Sequence, residues 1–139
     1  MKVLLAVDGS ECAARAARFV VQLLVGREAQ VELVNVQPPV AYADLLFAET
    51  RARVDELIAA RGRRAARDAL DAMASAGITS RLHVLSGDAA PVIASTAREL
   101  GCGLIIMGTR GLGAVAGLAL GSVAGKVIHL AEVPVTVVK

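Results

Sequence analysis

Gly108, Gly111, Gly113 and Gly117 fall within the thirteen residues from Gly108 to Leu120, and Gly121-Ser122 follow at once. Glycines this dense, set between an apolar run and a segment of helical period, suit the holding of an anion. A residue without a Cβ takes positive φ at little steric cost and lets a phosphate approach bare backbone N–H groups. A helix starting next adds unpaired donors and the positive end of its dipole. Gly108, Gly111, Gly121 and Ser122 supply those elements, and the serine hydroxyl can donate as well. A hydrogen bond to a charged group contributes about 1.5–3 kcal/mol net, so three or four such donors hold a triphosphate without a dedicated lysine. Packing alone is the competing account of these glycines. The length of the connection weighs against it, because α/β connections usually take about 2–6 residues.

Two near-matches to other phosphate motifs fail on inspection. Gly125-Lys126 is followed by Val127 where a P-loop has Ser or Thr, and its fifth upstream residue is Leu120 instead of glycine. Gly111-Leu112-Gly113-Ala114-Val115-Ala116 fits GxGxxA after a strand, with Glu132 about twenty residues on. A dinucleotide site places its acid at the end of the next strand, whereas Glu132 precedes that strand. His83 and His129 are far apart and lack a third ligand at metal spacing, so neither is read as a metal ligand. His83 is expected to project from a strand margin, and His129 to favour a helix C-terminus. Cys12 and Cys102 lack CxxC spacing and any adjacent base, so they read as free, buried thiols with no nucleophilic triad.

The elements that must position the glycine stretch alternate in period. Val3–Val7, Val31–Val36, Arg81–Leu85, Leu104–Met107 and Val133–Val138 read as short strands, mostly apolar on both faces and none broadly open to water. Helices are expected over Glu11–Val25, Glu49–Ala76, Ala89–Leu100 and Ser122–Leu130. Ser10 and Asp88 are placed to cap the first and third, and Gly26, Gly77 and Gly101 to end helices in the left-handed conformation. The alternation is that of an α/β fold with a parallel sheet. In such a sheet ligands settle beyond the carboxyl ends of the strands, where successive connections leave to opposite faces. A second long connection, Gln37–Ala48, carries Pro38-Pro39 and an apolar excursion through Ala41–Phe47, readable as a lid, a partner surface or irregular packing.

Composition closes off other classes. The chain has 139 residues, close to one domain spanning 1–139, and its 55% apolar content is too high for disorder. Aromatic residues make up 2%, which leaves no stacking platform for single-stranded nucleic acid. The net charge of +2 comes from interspersed residues, and the arginines at 61, 63, 64 and 67 are followed by Asp68 and Asp71, as on a solvated helix face. No nucleic-acid partner is expected. The first apolar run is too short for a secretory core, and the longest uncharged stretch, Gly111–Gly125, is too short and glycine-rich to span a bilayer. No membrane association is expected, and the location expected is cytoplasmic.

Gly108-Thr109-Arg110-Gly111, nine residues, then Gly121-Ser122 resembles the G-2x-G-9x-G-[S/T] signature of ATP-binding universal stress proteins. The resemblance runs over essentially the whole chain. Ala6-Val7-Asp8-Gly9-Ser10 is similar to the family's first strand and turn, Gly87-Asp88 to the segment before its fourth strand, and Pro134-Val135-Thr136-Val137-Val138 to its terminal strand. It implies an open five-stranded parallel sheet in order 3-2-1-4-5 with helices on both faces, and ATP, with Mg2+, across strands 1 and 4. Ala6, Val7 and Asp8 would then lie beside the adenosine, with Asp8 the ribose or metal contact, and Val36 would meet the adenine edge through its backbone. Met107, Gly108, Thr109, Arg110, Gly111, Gly121, Ser122 and Val123 would surround the ribose and phosphates, Arg110 as a phosphate partner. A departure is Leu112–Leu120, which holds no polar residue. The resemblance further implies a homodimer through 133–138 and a role in the stress response; the sequence supplies neither a water-positioning residue nor an acidic metal pair, so at most slow ATP hydrolysis is expected. The alternative function is a nucleotide-independent dimeric scaffold whose partner surface is the 38–48 excursion.

Overall fold

The computed structural model describes residues 1–40, 47–113 and 120–139. Nine elements follow one another: β1 (Lys2–Ala6), α1 (Glu11–Leu24), β2 (Gln30–Gln37), α2 (Ala48–Ser75), β3 (Thr79–Ser86), α3 (Ala89–Glu99), β4 (Leu104–Gly108), α4 (Ser122–Leu130) and β5 (Val135–Val138). The strands form one parallel sheet in the order β3-β2-β1-β4-β5, as expected.

Strand alternation sorts the core into two layers. Val3, Leu5 and Val7 face α1 and α2, whereas Leu4 and Ala6 face α3 and α4. The α1 stripe of Ala13, Ala16, Ala17, Val20 and Leu24 repeats at helical spacing, and its alanines bring the helix close to the sheet. On α2, Gly62 does the same job, since a Cβ there would run into both methyl groups of Val84 on β3. The first half of α2 is largely solvent-facing, with Leu57 exposed. No helix among the described residues is long and apolar enough to cross a membrane.

Several local expectations hold. Ser10 Oγ accepts from Ala13 N at 3.2 Å, and Gly26, Gly77 and Gly101 take φ of 75°, 68° and 66° beyond their helices. Others need correction. Asp88 occupies the cap position of α3, but its side chain makes no capping hydrogen bond. Pro91 explains part of this, because it stands third in the helix and has no N–H to offer. Strand β3 is an edge strand whose residues are exposed or half-buried, not covered on both faces. Strand β5 starts at Val135; before it, the Pro134 carbonyl accepts from Ile105 N at 3.0 Å.

His83 does lie on the strand margin, but it is not idle. Its Nε2 sits 2.7 Å from Oε2 of Glu32, a carboxylate 1% exposed within β2. Gln30 Nε2 donates to the other oxygen at 2.8 Å, and Lys2 Nζ stands 3.7 Å away, so the buried charge is partnered as burial requires. His129 lies in the last turn of α4. Glu132 pairs with Arg98 at 3.0 Å on the surface, away from any dinucleotide role, and Gly125-Lys126 lie inside α4 rather than in a loop.

Candidate functional site at the ends of β1 and β4

The connection after β1 leads into α1 on one face of the sheet, and the connection after β4 leads into α4 on the other. The carboxyl ends of these neighbouring strands therefore part, and a cavity of about 500 Å3 opens between them. That size falls within the range of about 300–1,000 Å3 common for small-molecule sites. All twelve expected binding residues line it. Ala6, Val7 and Asp8 come from the end of β1, and Val36 from β2. Met107, Gly108, Thr109, Arg110 and Gly111 come from β4 and its turn, and Gly121, Ser122 and Val123 from the start of α4.

One of the two reasons expected for the glycines, positive φ, does not hold. None of Gly108, Gly111, Gly113 or Gly121 has positive φ; Gly117 lies outside the described residues. What three of the four need is room. A Cβ on Gly108 would stand 2.6 Å from Cys12 Cβ and 2.8 Å from the Cys12 carbonyl carbon. One on Gly111 would stand 2.5 Å from Asp8 Oδ2, and one on Gly121 3.1 Å from the Thr109 carbonyl oxygen. Gly113 alone has nothing described within 4 Å.

Asp8 is the pin of this arrangement. Its Oδ1 accepts from Ser10 N at 2.9 Å, shaping the turn into α1, and its Oδ2 accepts from Leu112 N at 3.0 Å across the cleft. Ser10 Oγ donates to the Arg110 carbonyl at 3.4 Å. Gly121 N–H is spent on the Thr109 carbonyl at 2.7 Å, so this amide closes the turn and does not point at a ligand. The donors offered to an anion are then the first-turn amides of α4, which have no side-chain cap because Gly121 holds the cap position, together with the Ser122 hydroxyl and Arg110. Ser122, Val123 and Arg110 are exposed.

A divalent metal finds little here. Both Asp8 oxygens already accept amides, and the described residues contain no group of three or more His, Cys, Asp or Glu side chains that could hold an ion. Mg2+ commonly uses one or two carboxylates plus substrate phosphates, so with the described residues it fits this cleft only when carried by a polyphosphate, Asp8 being the one carboxylate they offer.

Residues not expected at the site complete its floor. Asn35, 1% exposed, donates through Nδ2 to the Val7 carbonyl at 2.8 Å, and Gln37 Nε2 donates to Asn35 Oδ1 at 2.6 Å. Together they brace the ends of β1 and β2, while Ala89 and Ile93 of α3 close the apolar side. The signal was present in the sequence, as an amide in the midst of a strand otherwise apolar at Val34 and Val36.

The profile described as "Universal stress protein family" matches residues 1–139. The chain belongs to this family. A universal stress protein of Thermus aquaticus is 37% identical over 139 residues, covering 99% of this chain and 97% of that one. Among solved structures, the hypothetical protein MJ0577 superposes with a TM-score of 0.84 at 24% identity, over 99% of this chain and 94% of that chain. A family member from Arabidopsis thaliana, solved with AMP bound, has a TM-score of 0.72 at 20% identity, over 100% and 91%. The universal stress protein of Archaeoglobus fulgidus in complex with dAMP has a TM-score of 0.67 at 24% identity, over 100% and 98%. The family's five-stranded order is the one this chain adopts.

Proposed function

We propose that residues 1–139 form one nucleotide-binding regulatory unit that takes an adenine nucleotide, ATP with Mg2+ carried on its phosphates, in the cleft between β1 and β4. The observation that carries the reading is the meeting of all twelve residues around one cavity at the point where the sheet's connections diverge. The binding of AMP and dAMP by structural neighbours supports it. The adenine lies against the end of β2 near Val36, the ribose near Asp8, and the phosphates reach the start of α4, with Ser122 and Arg110 as side-chain partners. Catalysis is secondary in this reading. Among the described residues the one carboxylate lining the cleft is engaged by two amides and is not free to position water, so hydrolysis is slow in this reading. Bound nucleotide sets the position of the 108–120 connection and thereby what the protein presents to partners in a stress response. Pairing of two copies through the β5 edge is part of the same proposal, with Pro134 lying just before the edge strand.

Calorimetric titration with ATP and AMP tests the site. Replacing Gly121 by Val crowds the Thr109 carbonyl and is expected to abolish binding while circular dichroism stays native. Equal affinity in both proteins, or absence of binding and of any rise in melting temperature for the wild type at millimolar nucleotide, overturns the reading.

A further inference from the structure

Cys12 stands in the first turn of α1, directly behind Gly108, and takes no part in lining the nucleotide cleft. It is 6% exposed, and Arg15 Nη2 donates to its Sγ at 3.1 Å. The Arg15 side chain is itself 37% exposed and also pairs with Glu11 at 3.4 Å. Beside the thiol is Thr109, 4% exposed, whose Oγ1 is the one buried side-chain polar atom among the described residues without a partner of hydrogen-bonding geometry. A hydroxyl left in that state costs about 1–3 kcal/mol, so it marks a place where an acceptor belongs.

Burial pushes the Cys12 thiol up, but the Arg15 guanidinium that donates to it and the Arg110 amide bring it below its ordinary value, with the nearby Thr109 hydroxyl acting in the same direction. Cys102, also buried, is pushed the other way by burial and by the Glu32 carboxylate. One molecule thus contains a thiol that receives a hydrogen bond from a guanidinium and an internal control at which burial and a carboxylate outweigh the nearby Lys2.

We propose that Cys12 is a modification site for hydroperoxides, and that Arg15 and Thr109 form the cradle of its sulfenic acid. The thiolate sulfur attacks one oxygen of hydrogen peroxide; the S–O bond forms, the O–O bond breaks, and hydroxide leaves. Sulfur gives up two electrons and the peroxide takes them, so no other reductant is needed. The new oxygen supplies the acceptor that Thr109 Oγ1 lacks, and the Arg15 guanidinium favours its anionic form. Selectivity for Cys12 over Cys102 comes from the fold and disappears with it.

The reduced full chain is treated with hydrogen peroxide, the sulfenic acid is trapped with a cyclic dione, and each thiol is quantified by peptide mass spectrometry. No nucleotide enters the readout, so the result stands apart from the proposed function. In the native protein Cys12 is expected to be labelled at least about tenfold faster than Cys102, and in guanidinium the two are expected to react alike. Thr109→Val, which removes the unpartnered hydroxyl while keeping the shape, should leave the fold intact and lower the Cys12 yield several-fold. Cys102 labelled as fast as Cys12 in the native protein overturns the proposal. An unchanged yield in Thr109→Val overturns the cradle.

Discussion

Substituting Gly111 by Ala, with Gly113→Ala as its partner experiment, isolates what the glycine turn does. At residue 111 a methyl group would stand 2.5 Å from Asp8 Oδ2, an approach that real side chains do not make, whereas at residue 113 nothing described lies within 4 Å. Asp8 has little freedom to retreat, because its other oxygen is held by Ser10 N at 2.9 Å. The contact that must yield is the 3.0 Å hydrogen bond from Leu112 N. A hydrogen bond to a charged group contributes about 1.5–3 kcal/mol when shielded, and this one is open to solvent, so about 1–2 kcal/mol is the expected loss. At about 1.4 kcal/mol per factor of ten, a cleft that depends on this tie should bind AMP or ATP about 5- to 30-fold more weakly. Gly113→Ala should bind as the wild type does and be equal or slightly higher in stability, because it only narrows the unfolded ensemble. Urea unfolding gives the stability difference and calorimetry the affinity. If Gly111→Ala matches Gly113→Ala in both, steric closeness to Asp8 is not why residue 111 is glycine, and the reasoning fails.

Gly62→Ala should lose about 1–2 kcal/mol in urea unfolding. Overpacking against Val84 costs more than the roughly 1 kcal/mol that helix propensity returns, and adding Val84→Ala should recover part of the loss. His83→Leu withdraws the 2.7 Å partner of buried Glu32 and should cost about 1–3 kcal/mol, while Glu32→Leu together with His83→Leu should be less damaging than the single change. A double variant worse than His83→Leu would refute this account of the pair. The thiols should titrate apart in ultraviolet absorbance, Cys12 below the ordinary 9.0 and Cys102 above it. The sign for stability follows. Cys12, lowered in the fold, adds stability that is present above 9.0 and is lost as pH falls through its native value. Cys102, raised, adds stability that is present below 9.0 and is lost as pH rises. Cys12→Ser should therefore remove the lower transition alone; loss of the upper one instead would refute the assignment.

Much of the architecture was legible because it is local. Apolar runs with strand length, helical stripes on α1 and α4, and left-handed glycines after α1, α2 and α3 depend on neighbours a few residues away. The twelve cleft residues were legible through likeness to a family, and the strand order came the same way. What escaped depends on distance or on competition. The partner of Glu32 is 51 residues away on an adjacent strand, so a carboxylate within an apolar run gave no hint of its histidine. The glycines of the turn looked like conformational specialists, yet the constraint on Gly108 and Gly111 is the surface of α1 and Asp8, about a hundred residues earlier. Asp88 reads as a cap from its type alone, but capping also needs a donor that Pro91 does not have. The excursion at 41–46 and the segment at 114–119 lie outside the described residues, so the lid and partner-surface readings stay where the sequence left them.

The tight seam between Gly108, Cys12, Gly111 and Asp8 gives the cleft one hard jaw. Its opposite lip, at Leu112 and Gly113, is held to that jaw only through the Leu112 amide, with the leucine three-quarters exposed and no described atom within 4 Å of a Cβ on Gly113. Both residues line the cleft, so a molecule that enters is expected to change their surroundings. A small fluorophore attached there would report occupancy while leaving the clamp behind it undisturbed, and the same dye placed on the α1 side would report damage to the fold.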